Sequence, residues 1–196
     1  MTQMLTEQEQ DYLLNLARQV IESALQGNKR IPLPEEGRTP RLQEPGASFV
    51  TLHTAQGALR GCIGTLTAHR PLAEDVRHNA LAAAFDDPRF PPLSETEAPD
   101  LVIEVSVLTP PEPLAFSGPD ELVQKLRPRI DGVFLEHGWH RGTFLPQVWE
   151  HLPEPEEFLR HLALKAHLPA NAWRWPDIKI STYQVQKFGE EQDCRE

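Results

Sequence analysis

Ser48-Phe49-Val50-Thr51-Leu52-His53-Thr54 and Ala58-Leu59-Arg60-Gly61-Cys62-Ile63 are two β-prone runs that meet at a turn around Gln56-Gly57. Side-chain alternation has a period of two, so a one-residue slip would send every apolar residue to the wrong face. A two-residue loop pairs Thr51 with Cys62 and His53 with Arg60. It also gathers Val50, Leu52, Leu59 and Ile63 on the opposite, apolar face. A three-residue loop would set apolar residues against polar ones. The two-residue register is therefore expected.

Upstream, Thr6-Glu7-Gln8-Glu9 has the spacing of a capping box. Leu13, Leu16, Ala17, Val20, Ile21 and Ala24 then share one helical face, and Gly27-Asn28 ends the helix. Residues 28–47 hold four prolines and read as a connector or flap. Downstream, Pro71 suits the first turn of a helix that buries Leu72, Val76, Ala80 and Ala83 up to about Phe85. Asp86-Asp87-Pro88-Arg89-Phe90-Pro91-Pro92 breaks it. Leu101–Thr109 is a strand with Leu101, Ile103, Val105 and Val107 on one face. A short helix is expected near Asp120–Leu126.

The second half echoes the first. Val133–Glu136 and Trp139–Leu145 form a hairpin turning at His137-Gly138, with Arg141-Gly142 set as Arg60-Gly61 is. A helix over Pro155–Leu168 and a strand from Ile178 to about Phe188 complete it. The fold class is thus α+β: an antiparallel sheet with flanking helices in two lobes, and a duplicated hairpin–helix–strand unit. One domain over 1–196 is expected, with lobes roughly 48–108 and 130–188, an N-terminal helix 6–26, a tail 189–196 and a cleft between the lobes.

The 196 residues carry a net charge of −10, concentrated in residues 91–196, while residues 38–90 are slightly basic. Such a chain is a poor clamp for duplex nucleic acid. A small anionic ligand near the local arginines stays open. No apolar run is long enough to span a bilayer. The start, Met1-Thr2-Gln3-Met4-Leu5, lacks a basic region followed by an apolar one. Two cysteines, Cys62 and Cys194, make no disulfide framework and lack metal-ligand spacing. A reduced, cytoplasmic protein is expected.

Cys62 is the sharpest candidate for chemistry. In a regular strand Arg60 and Cys62 share a face, and a guanidinium beside a thiol favours its nucleophilic form. His53 would lie diagonal to Cys62 as a base. A small buried cysteine is the plainer alternative. Gly61 and Gly64 would admit a ligand or another backbone. Arg89 lines a pocket or pairs with Asp86 or Asp87. Glu104, on an otherwise buried strand, needs a partner, and Arg60 is one candidate. No Walker-type lysine or Gly-x-Gly-x-x-Gly fingerprint is present, so no cofactor is assigned, and the eight histidines show no metal-binding pattern. Trp173 and Trp175 stack a base or pin a loop.

Leu59-Arg60-Gly61-Cys62-Ile63-Gly64-Thr65-Leu66 resembles the hallmark of the AMMECR family. Phe49-Val50-Thr51-Leu52, Arg89-Phe90-Pro91-Pro92, Ile103-Glu104-Val105-Ser106-Val107-Leu108, Leu145-Pro146-Gln147-Val148, Phe158-Leu159 and Lys165-Ala166 follow the family order. The resemblance implies a two-lobed α+β fold with the Arg60–Gly64 motif near a cleft. Prokaryotic members resemble the A component of the AmmeMemoRadiSam system, which implies a Memo-like protein and a radical-SAM protein as partners. It also implies a second Cys and a Gly flanking the Lys-Ala pair, where this chain has Ala163 and His167.

The leading expectation is a small anionic or nucleotide-like ligand held by Arg60, Gly61, Gly64, Arg89, Glu104 and Gln147. The rivals are an enzyme in which Cys62 attacks with His53 or Lys165 moving protons, an adaptor within a modification system, and an RNA-binding module.

Overall fold

The computed structural model describes residues 4–28 and 31–190. Cys194 lies outside them. The chain forms two compact units. The first runs through Leu108 and takes the chain back from Gln186; the second is Thr109–Val185. The second unit thus starts well before residue 130.

In the first unit, α1 (Glu7–Leu25) begins at the expected capping box. Thr6 accepts from the Glu9 N–H while Glu9 reaches back to the Thr6 N–H. Its apolar face is buried, including Leu13, Leu16, Val20 and Ile21. A short α2 (Pro40–Gln43) interrupts the proline-rich connector. Strands β1 (Pro45–His53), β2 (Leu59–Gly64) and β3 (Arg70–Pro71) precede α3 (Leu72–Phe85) and β4 (Val102–Leu108). The sheet runs β2-β1-β4, continued by β9 (Val185–Gly189), with β3 on the start of β1. Val50, Leu52, Ile103 and Val105 pack with α1 and α3 into one core.

The first hairpin satisfies both registers. Its loop has three residues: the Thr54 N–H donates to the Ala58 carbonyl, and Gly57 takes a φ of +79°. Turn chemistry requires that, since a glycine in the left-handed region suits this loop and a bulge commonly follows it. His53 therefore faces Leu59, not Arg60. One residue later the ladder shifts: Leu52 faces Gly61 and Thr51 faces Cys62, as the apolar alternation demands. Arg60 is the extra residue. Leu59, beside the turn, is left exposed instead of joining Val50 and Leu52 in the core.

The second unit contains β5 (Glu112–Pro113), α4 (Pro119–Lys125), β6 (Gly132–His137), β7 (His140–Phe144), α5 (Pro155–Lys165) and β8 (Lys179–Tyr183), in the sheet order β5-β8-β6-β7. The turn falls at Gly138-Trp139, because His137 pairs with His140. Trp149 and Phe158 stack at 3.7 Å within its core. Helix α5 stops at Lys165, and His167 takes a φ of +58° just past it. The strand expected over 178–188 is two strands divided at Gln184. There the Gln184 N–H bonds the Thr109 hydroxyl, and its carbonyl accepts from the Thr109 N–H. β8 and β9 serve different sheets.

The two units repeat one pattern. Each has a hairpin, a helix, and a third strand antiparallel to the first hairpin strand. The register repeats as well. Leu52 lies between Gly61 and Ile103, and Leu135 lies between Gly142 and Ile180. Both glycines let a helix approach: a Cβ on Gly61 would meet the Ala83 carbonyl of α3, and one on Gly142 would meet Leu162 of α5 and Ala166 at its C-cap. The Arg-Gly echo is thus a packing echo.

Candidate functional site

Strand β2 is an edge, and edge strands leave alternate N–H and C=O groups unpaired. At Cys62 the loop after α3 fills that gap. The Cys62 N–H donates to Asp87 at 2.8 Å, and its carbonyl accepts from Arg89 Nη2 at 3.1 Å. Asp87 is buried and also accepts from the Arg89 backbone N–H, Nε and Nη2. The Arg89 guanidinium, helped by the backbone donors, holds the Asp87 carboxyl well below the usual carboxylate range. This settles the partner of Arg89 as Asp87.

An antiparallel sheet often packs one face on a core and leaves the other polar. Val50 and Leu52 point into the core, so Phe49, Thr51 and His53 occupy the other face. Across the strands from Thr51 sit Cys62 on one side and Glu104 on the other. The Thr51 hydroxyl donates to Cys62 Sγ at 3.2 Å. Glu104 has the partner its position called for, but it is Lys187 of β9 at 2.7 Å and not the candidate Arg60. A thiol, a hydroxyl, a carboxylate and an ammonium therefore form one row over the sheet, with neighbouring strands about 4.8 Å apart. His53 stands one step along β1, opposite Val102, and makes no hydrogen bond or ion pair among the described residues. All of these side chains are half-buried or exposed.

Arg60 is not part of that row. As the bulged residue it is taken out of the regular alternation, and bulges commonly re-aim a side chain. Its guanidinium bonds Glu97 through Nε at 2.6 Å and Nη2 at 3.2 Å, and donates to the Pro91 carbonyl at 3.0 Å. It also lies 5.8 Å from the Phe90 ring centroid. The side chain is only 9 % exposed. Gly61 and Gly64 serve packing: the space beside Gly61 is filled by α3, and that beside Gly64 by the Phe49 ring. Gln147 and Lys165 belong to the second unit, where Lys165 Nζ lies 5.0 Å from the Phe144 ring centroid. There Trp173 is buried under Arg174, while Trp175 meets His137 edge-on. Among the described residues no His, Cys, Asp or Glu cluster has the makings of a metal site, and no helix is long and apolar enough to cross a membrane.

A family model, AMMECR1, matches residues 14–188. The chain belongs to the AMMECR1 family. A protein of Thermofilum pendens is 41 % identical over 95 % of this chain and 92 % of its own length. Protein MJ0810 of Methanocaldococcus jannaschii is 40 % identical, with the same two coverages. The crystal structure of the uncharacterized protein PH0010 from Pyrococcus horikoshii superposes with a TM-score of 0.74 at 41 % identity. It covers 92 % of this chain and 90 % of that one.

In this AMMECR1-family chain, sequence reasoning missed Thr51, Glu97 and Lys187 as site-forming residues. Lys187 lies at a β-prone end where alternation could have flagged it; Glu97 lies in an irregular loop with no pattern to read. Glu97 also gives a pH prediction. The Arg60 guanidinium, followed by the Ser94 hydroxyl and N–H, holds its carboxyl at about 2, against an ordinary 4.5. A carboxyl depressed on folding stabilises the fold above the unfolded value and ceases to as pH falls through the folded one. Urea unfolding between roughly pH 4.5 and pH 2 should therefore show a shallower acid loss in Glu97→Gln than in the parent chain. Equal slopes would break the link.

Proposed function

We propose that the outer face of the first sheet binds a small anionic ligand of the phosphate or carboxylate class over the row Cys62, Thr51, Glu104 and Lys187. The observation that carries the reading is that row, open on a face opposite the core, with Lys187 58 % exposed. Arg89, 53 % exposed at the Cys62 edge, adds a second cation. Both cations are paired to carboxylates, and each keeps spare N–H donors for an anion. In this reading Arg60 is a structural strut, and His53 lies beside the ligand.

The test is a titration with inorganic phosphate and with AMP, followed by backbone amide resonances. Shifts are expected at Thr51, Cys62, Arg89, Glu104 and Lys187, with Lys187→Gln weakening binding roughly three- to tenfold. Saturable shifts only elsewhere, or none, would remove the proposal.

A second reading is cysteine chemistry, in which Cys62 attacks an electrophile bound on the same face. The Thr51 hydroxyl at 3.2 Å from Sγ favours it, since it orients the sulfur on the accessible side. Alkylation of Cys62 by iodoacetamide no faster than that of a free thiol, at any neutral pH, would count against it.

A further inference from the structure

A cavity of about 210 Å³ opens beside the first hairpin. It is lined by Thr54, Ala55 and Gln56 of the turn, by Arg60, and by Thr96, Glu97, Asp100 and Leu101 from the stretch before β4. All of these residues belong to the first unit. Its chemistry differs from that of the outer sheet face in two respects.

The first is an unsatisfied donor. Arg60 is committed to Glu97 and to the Pro91 carbonyl through Nε and Nη2. Its Nη1 is buried and has no hydrogen-bond partner among the described residues. A buried donor left unpaired is costly, and more so when it belongs to a charged group. Arg60 therefore has a use for one acceptor oxygen, and the cavity it lines is where that oxygen could come from.

The second is charge. Glu97 neutralises Arg60, while Asp100, exposed at the cavity, has no hydrogen bond or ion pair from its carboxylate among the described residues. The lining thus carries about one net negative charge. It disfavours phosphate and other anions and favours a cation. A zwitterion would leave that charge uncompensated, whereas an ammonium carrying a neutral carbonyl would cancel it. The Gln56 side chain, also unpaired among the described residues, adds a donor and an acceptor at the turn.

We infer that this cavity binds a compact organic ammonium bearing a neutral carbonyl, the chemistry shared by an amino-acid amide and the first residue of a peptide. The carbonyl meets Arg60 Nη1, and the ammonium meets Asp100 with Glu97 behind it. Nη1 is sealed from solvent in the structure, so this contact requires the cavity wall to yield, and the shifts at Ala55 and Gln56 are what report it. The site is separate from the anion platform and does not depend on it.

Amide resonances of the intact chain test this directly, with glycinamide, N-acetylglycinamide, glycine and inorganic phosphate as probes. Glycinamide should give saturable shifts at Ala55, Gln56, Thr96 and Asp100 at millimolar concentration. N-acetylglycinamide, lacking the ammonium, should bind at least about tenfold more weakly, glycine should fall between them, and phosphate should leave these resonances still. Asp100→Asn, at an exposed position that should not disturb the fold, should weaken glycinamide about tenfold. Arg60→Lys, which keeps the charge but removes Nη1, should do the same if it folds. Triglycinamide distinguishes the sources: affinity equal to that of glycinamide points to a peptide terminus, and loss of affinity to a free amide. No saturable shift with glycinamide, or an unchanged affinity in Asp100→Asn, overturns the inference. The phosphate titration of the outer face stands or falls separately.

Discussion

Asp75→Ala is expected to destabilise the first unit by about 3–5 kcal/mol. Asp75 lies on α3 and is fully buried. One carboxylate oxygen accepts from the Ser48 N–H at 2.9 Å, the Ser48 hydroxyl at 2.7 Å and the Asn79 amide at 3.0 Å. The other accepts from the Thr65 hydroxyl at 2.9 Å and lies 3.5 Å from Arg70 Nε. One side chain therefore ties α3 to β1, to the end of β2 and to β3. Alanine would leave the Ser48 N–H buried and without that acceptor, with Ser48 itself fully buried. Asp75→Asn keeps an acceptor and loses the charge, so about half the loss is expected. Urea unfolding followed by resonances of the first unit measures both. A loss under about 1 kcal/mol for the alanine variant would mean that the network does not hold the helix to the sheet.

Gly61→Ala is expected to cost about 2–3 kcal/mol, and its counterpart Gly142→Ala about 1 kcal/mol or less. Neither glycine has a positive φ, so the difference is steric alone. A Cβ on Gly61 would lie 2.2 Å from the Ala83 carbonyl oxygen, and backbone cannot swing aside as a side-chain tip can. On Gly142 the nearest atoms would be 3.1 and 3.2 Å away, a tightness that shifts of a few tenths of an ångström relieve. Denaturant midpoints of the two variants test this, and equal losses would contradict the distances. The comparison also bears on function. A large cost at Gly61 assigns this part of the hairpin to helix packing, and leaves the ligand to the opposite face.

Much of this was legible in the residues. Thr6 and Glu9 marked the helix start because capping is local, and Leu13 to Ala24 marked its buried face because a single period governs it. The α+β class and the repeated hairpin–helix–strand order also followed from local patterns. The first hairpin shows where such reading stops. Alternation chose one register and Gly57 imposed another, and both are met because the strand inserts Arg60 as a bulge. Nothing in a period of two announces an inserted residue. The same bulge explains why Arg60 and Cys62 do not act together: the guanidinium went to Glu97, 37 positions away in a loop without a pattern. Glu104 needed a cation, as its position on a packed strand required. That cation is Lys187, which the chain delivers only by returning from the second unit at Gln186. Strand Ile178–Phe188 read as one run, because its division at Gln184 depends on Thr109, a contact across 75 residues.

The row over the outer sheet face is best tested through the reactivity of Cys62 itself. With Cys194 replaced by serine, Cys62 is alkylated in parallel by neutral iodoacetamide and by anionic iodoacetate, and the modified peptide is quantified by mass spectrometry. If Lys187 and Arg89 make that face a place for anions, the ratio of iodoacetate to iodoacetamide rates should exceed that of a free thiol by about three- to tenfold, and fall back in Lys187→Gln. A ratio equal to that of a free thiol, or a sulfur that neither reagent reaches, would contradict the account.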